Sequence, residues 1–157
     1  MDQNPEKSKQ ILAFLLGSQK LAVLSTYSGG QPYVSLVAFA ASPGADYLLF
    51  VTERETRKFA NILEHPRMAM LVDNRSNRES DFGEASAATI LGTAREVVGE
   101  ERTSRLKLYL EKHPSLEAFA TAAEAAVILV AVETVILVDG LNKVTTLERS
   151  DHIRALN

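Results

Sequence analysis

Residues Phe50 to Pro66 read Phe-Val-Thr-Glu-Arg-Glu-Thr-Arg-Lys-Phe-Ala-Asn-Ile-Leu-Glu-His-Pro and oblige a strand to end where a helix begins. Tyr47 to Val51 is an apolar, aromatic-rich run suited to a strand. Phe59, Ile62 and Leu63 then recur at helical spacing until Pro66, which lacks the N–H that another turn would need. Between them Thr56 is placed to cap the helix, its hydroxyl accepting from a first-turn N–H. Arg57 and Lys58 put two cations in that first turn, where the helix dipole disfavours positive charge. Two readings of that conflict stay open. A bound phosphate would resolve it, because the free amides, a guanidinium fork and an ammonium all favour an anion there. Alternatively, both cations are solvated and pair with Glu53, Glu55 or Glu64.

The flanking sequence sets an antiparallel frame around this junction. Pro5 to Leu16 places Ile11, Leu12, Leu15 and Leu16 on one helical face, with Gly17 able to end the helix. Lys20–Thr26 and Pro32–Ala40 are β-rich runs joined through Tyr27-Ser28-Gly29-Gly30-Gln31, a hairpin. Ser42-Pro43-Gly44-Ala45-Asp46 is a second turn, which leads the meander into the Tyr47 strand. Arg67 to Asp73 reads as another strand and Asn74 to Glu84 as a long polar loop containing Arg75, Asn77 and Arg78. Ala87 to Val98 is a strand with Gly92 marking a bulge or a close backbone approach. Gly99 to His113 is a helix with Leu106, Tyr109 and Leu110 turned inward, and a second, alanine-rich helix is expected from Pro114 to Ala125. Val127 to Val138 and Lys143 to Leu147 close the chain as strands. Antiparallel strands with helices at ends and edges specify an α+β class, and closing the sheet into a barrel would remove its exposed edges.

Composition narrows the function. The chain has 157 residues, 46% of them hydrophobic, enough for a single domain spanning 1–157 with its own core. A net charge of −3 gives no general attraction to nucleic acid or an anionic membrane, so any anion site must be local. The absence of cysteine excludes disulfides, thiolate metal sites and a cysteine nucleophile. No signal-peptide order is visible at the amino terminus, which makes the cytoplasm the expected location. The most apolar run, Ala125 to Val138, is too short to span a bilayer as a helix. There is no Gly-x-Ser-x-Gly elbow, no Walker loop and no Gly-x-Gly-x-x-Gly. His65 and His113 precede prolines at helix ends, where interaction with terminal carbonyls is expected; with His152 they are scattered, and no metal site is assigned. Glu100, Glu101, Arg102 and Arg105 read as a solvated helix face.

The order of parts resembles the FMN-binding split barrel of the pyridoxamine 5'-phosphate oxidase-like superfamily. The likeness runs from about residue 8 to 147. It rests on Leu21-Ala-Val-Leu-Ser-Thr26, Gly30-Gln-Pro32, Val34-Ser-Leu-Val37, Leu49-Phe-Val-Thr52, Thr56-Arg-Lys-x-x-Asn-Ile62, His65-Pro-Arg67 and Leu91-Gly-Thr-Ala94. It implies an antiparallel split β-barrel with peripheral helices, and a homodimer with FMN at the subunit interface. It further implies that Thr56, Arg57 and Lys58 hold the phosphate, that the ring edge lies against the backbone of Ser35, Leu36 and Val37, and that Val51 and Thr52 stand beside the ring and ribityl chain. The flavin would then carry electrons for a small-molecule substrate, with no side chain nominated as acid or base. Tyr33 and Ala38 stand where true pyridoxamine 5'-phosphate oxidases carry basic residues, and no Trp is present for their carboxy-terminal signature. The resemblance is therefore to the short general stress, flavin reductase-like or haem utilisation-like relatives. A flavin or haem binder without turnover, or a deazaflavin enzyme on the same fold, are the alternatives.

Overall fold

A computed structural model describes residues 4–141 and 143–149. Helix α1 (Pro5–Ser18) starts at Asn4, whose side chain accepts from the Glu6 N–H. Strands β1 (Leu21–Ser28), β2 (Gln31–Ala41) and β3 (Tyr47–Glu53) form the expected meander. The first turn is the tight pair Gly29-Gly30, both at positive φ, which side chains resist and which matches strand twist. Helix α2 (Arg57–Glu64), β4 (Arg67–Asp73), a helical turn α3 (Asp81–Glu84) and β5 (Ser86–Val97) follow. Then come α4 (Gly99–Lys112), a 3-10 turn at Pro114–Leu116, a short α5 (Glu117–Ala120), β6 (Ala125–Asp139) and β7 (Lys143–Glu148). The sheet order is β3-β2-β1-β4-β5-β6-β7, and β3 also pairs with β6, closing a barrel of six strands that leaves β7 outside. The α+β split-barrel class is thus observed. No helix among the described residues is long and apolar enough to cross a membrane.

Two hydrophobic layers explain why β6 shows no alternation. Residues such as Phe39, Phe50, Met70, Ile90 and Ile128 fill the barrel, and Leu12, Leu15 and Leu16 of α1 join that core. The opposite faces of β3 and β6 present Leu49, Val51, Val127 and Leu129 to Leu106, Tyr109 and Ala120 of the α4–α5 layer. A strand covered on both sides reads as a continuous apolar run. Glu133 interrupts that run at the irregularity beside Gly92: Leu91 pairs Thr134 while Gly92 pairs Val132, leaving Glu133 as the extra residue, held by Thr93 and Arg67. A Cβ on Gly92 would meet the Ala131 carbonyl, so the bulge and the close approach are one feature.

Several expectations are corrected. The second alanine-rich helix is only a 3-10 turn and one helical turn, with Ala120 the one buried residue of α5. The supposed solvated face of α4 is engaged: Glu101 takes both Arg95 nitrogens, Arg102 reaches the Ala120 and Ala125 carbonyls, and Arg105 donates to the Tyr47 hydroxyl. The His113 ring contacts the strand carbonyl of Phe39 at 2.7 Å, and His65 stacks on Tyr27 at 4.3 Å, so neither ring serves its own helix end. His152 lies outside the described residues. The Asn74–Glu84 loop is organised by Asp81, which accepts from the Ser76, Asn77 and Arg78 amides and the Ser76 hydroxyl. Those bonds hold its carboxyl below the usual range despite the desolvation that opposes them.

Helix α1 runs one residue past Gly17, and carbonyls at its end are capped from a distance. The Lys112 ammonium donates to Leu16 O at 2.9 Å and Gln19 O at 2.6 Å, and sits 3.9 Å from the Phe39 ring centroid. Burial pushes that ammonium down to about 8, against about 10.4 in an unfolded chain. Between those values the unfolded chain binds more protons, so stability rises with pH across that window. Tyr109 acts in the other sense. Burial pushes its phenol up to about 12, so above about pH 10 the folded chain keeps a proton that the unfolded one loses, and stability falls. Urea midpoints should therefore climb from pH 8 to 10, then turn down. With Lys112 partly solvated, the climb is on the order of 1 kcal/mol, and Lys112→Met should abolish it.

Candidate functional site

The barrel opens where β2 and β3 part. They pair only through Phe39↔Phe50, Ala40↔Leu49 and Ala41↔Leu48. The amino-terminal part of β2 is bonded to β1 alone, while Val51, Thr52 and Glu53 follow β6. In an antiparallel ladder successive residues turn their backbone groups to opposite sides. Because the Phe39 N–H reaches Lys20 O on the β1 side, the alternation turns those of Leu36 and Ala38 to the open side.

A groove of about 310 Å³ occupies this parting, within the size range of small-ligand sites. Leu36, Val37 and Ala38 form one lip, and Val51, Thr52 and Glu53 the other. Thr56 and Lys58 stand at one end, and Tyr109, Leu116 and Phe119 build the wall. Six of the eight residues singled out in the sequence thus line one groove. Arg57 and Ser35 are not among its lining. Arg57 lies over the Tyr33 ring at 5.1 Å, and the buried Ser35 hydroxyl has no hydrogen-bond partner. The wall residues were not foreseen as site residues. Their only sequence signal is the unalternating β6, which demands an outer layer from the α4–α5 segment.

The helix start has the anticipated local form. Thr56 is extended, and its hydroxyl accepts from the Phe59 N–H at 3.4 Å and lies 2.8 Å from the Thr52 hydroxyl. Phe59 and Ile62 bury the inner face of α2, and Asn61 donates to the Thr26 hydroxyl. That packing aims the first turn outward. Among the described residues neither Arg57 nor Lys58 has a carboxylate partner: Glu64 is taken by His65 and Ser28, and the pairing of either cation with Glu53 or Glu55 does not occur. Two unneutralised cations therefore flank a dipole end that also favours an anion. An apolar slot with unpaired backbone groups on one lip and Lys58 at its end, Arg57 adjoining it, suits a flat ring bearing a phosphate tail. No cluster of three or more metal-ligating side chains occurs among the described residues.

The sequence model for pyridoxamine 5'-phosphate oxidase matches residues 8–139. The chain belongs to that family. No curated protein matches the sequence significantly. Among solved structures, the heme binding protein of Mycobacterium smegmatis superposes with a TM-score of 0.81 at 17% identity, over 98% of this chain and 61% of that one. This chain thus spans about three fifths of that protein. General Stress Protein 26 of Bacillus anthracis gives 0.68 at 20% identity, over 89% and 97% of the two chains. A FAD-binding protein of Mesorhizobium loti gives 0.63 at 17%, over 78% and 88%. At these identities the likeness shows the family's barrel and leaves its chemistry to each member's own residues.

Proposed function

We propose that this member of the family is an FMN-binding flavoprotein that acts as a homodimeric oxidoreductase on a small-molecule substrate in the cytoplasm. The observation that carries the reading is the pair of cations without carboxylate partners, Arg57 and Lys58, at the capped start of α2, one of them in the groove. Thr56, Arg57 and Lys58 hold the phosphate. Leu36, Val37 and Val51 give the ring a dry slot, Thr52 stands beside it, and the free backbone of Leu36 faces its polar edge. Bound FMN would supply the electron transfer; the protein supplies binding, orientation and the exclusion of water. Tyr33 and Ala38, in place of basic residues, argue against vitamin B6 phosphate as the substrate.

A second reading, haem binding without turnover, is favoured by the heme binding protein among the similar structures. The described groove lining contains no histidine to ligate iron. The deciding experiment is the absorption spectrum of the purified protein before and after incubation with FMN and gel filtration, with haemin and a deazaflavin in parallel. About one FMN retained per chain is the expected result; retention of haemin or the deazaflavin alone would replace the reading.

A further inference from the structure

We propose that Tyr109 is the specificity-determining residue of the groove, its hydroxyl donating a hydrogen bond to an acceptor on the edge of the aromatic ring that enters between β2 and β3. The proposal rests on the flavin reading above and adds a ring-side determinant to its phosphate-side one.

Tyr109 is 1% exposed, the largest fully buried side chain among the described residues, and it still lines the groove. It arrives there because α4 packs its Leu106 and Tyr109 onto the outer faces of β3 and β6. A phenylalanine would serve that packing as well. The phenol adds only a polar atom, and among the described residues no hydrogen bond from that hydroxyl to the protein is found, although it is not one of the polar atoms sealed from solvent without a partner. A tyrosine packed this deeply ordinarily gives its hydroxyl a partner, and one that is open to a ligand-sized groove and unbonded to the protein is free to donate to a ligand there. The nearby groups are already committed. Thr52 and Thr56 face each other, and the His113 ring, 5.0 Å from that of Tyr109, bonds the Phe39 carbonyl.

The chemistry selects a class of ligand. Leu116 and Phe119 beside Tyr109 are apolar, so a ring with a hydrocarbon edge would seal the hydroxyl away unpaired, which costs binding. A heteroaromatic ring with carbonyl or ring-nitrogen acceptors satisfies it. Burial also keeps the phenol protonated, and therefore a donor, across the physiological range.

Tyr109→Phe removes the oxygen alone. Titrating wild type and variant with FMN and with riboflavin, by flavin fluorescence, should show both ligands weakened about tenfold and by the same factor, because the lost contact is to the ring. The bound flavin's absorption band should shift between the two proteins. The thermal midpoint without ligand should be unchanged, since no bond is lost there. Equal affinities in a wild type that binds FMN would overturn the role of Tyr109 and leave the flavin reading standing. A lowered midpoint without ligand, accompanied by weaker binding, would make the residue structural and also overturn it. A wild type that binds neither flavin would overturn both.

Discussion

Replacing Arg57 and Lys58 together with alanine is expected to weaken FMN binding about a hundredfold while leaving riboflavin binding unchanged. A hydrogen bond to a charged group contributes about 1.5–3 kcal/mol. Both side chains stand near solvent, so the lower figure applies to each, giving about 3 kcal/mol for the pair, or two powers of ten. Riboflavin has the same ring and ribityl chain without the phosphate, so it isolates the term in question. In the wild type FMN should bind far more tightly than riboflavin; in the double variant that preference should collapse. The two cations are not equivalent. Lys58 lines the groove, whereas Arg57 rests on Tyr33 and must leave that ring to reach a phosphate in the groove. Lys58→Ala should therefore cost more than Arg57→Ala, and salt should weaken FMN binding in the wild type more than in the double variant. A double variant that kept its preference for FMN would return Thr56-Arg57-Lys58 to the status of an ordinary helix start.

How much of this was legible in the sequence follows from the range of the interactions involved. Thr56 as a cap, Pro66 as a stop and the Gly29-Gly30 turn are decided within a few residues, and each stands where local chemistry puts it. Gly92 could be read as a bulge because a strand glycine has few other uses. The alanine-rich segment after Pro114 failed as a helix because propensity alone does not sustain one; only Ala120 of α5 is buried, and one turn suffices to cover it. Contacts between distant residues left no local trace. Lys112 capping α1 from 96 residues away is one, and Arg105 on Tyr47 is another. In the site the division is the same. The lips and the Thr56–Lys58 end come from consecutive residues in recognisable order, whereas the wall that Tyr109, Leu116 and Phe119 build depends on how α4 lies across the barrel.

The largest effect on assembly is expected from Val34→Asp. The barrel core and the α4–α5 layer cover the long apolar strand β6 within one chain. One exposed apolar patch lies on the arm formed by β1 and β2, where Val34 and Leu36 are 63% and 65% exposed. That arm is not free to fold back over them. It is tied to α2 by Asn61 on Thr26 at 3.1 Å, Ser28 on Glu64 at 2.8 Å and Tyr27 stacked on His65. A two-fold dimer through this face would bury both copies of Val34, so an aspartate there counts twice. At about 1.5 kcal/mol for each valine, the dimer should weaken by about 3 kcal/mol, a hundredfold, before the cost of burying the charges. Sedimentation at micromolar concentration should then show a dimeric wild type and a monomeric variant of unchanged thermal midpoint. Val34 does not line the groove whereas Leu36 does, which makes Val34→Asp the cleaner probe of a shared site. If FMN lies between subunits, its affinity for the variant should recover as protein concentration drives the dimer back together. A monomer that binds FMN as tightly as the wild-type dimer would place the whole cofactor within one chain, and the exposed arm would then need a different partner.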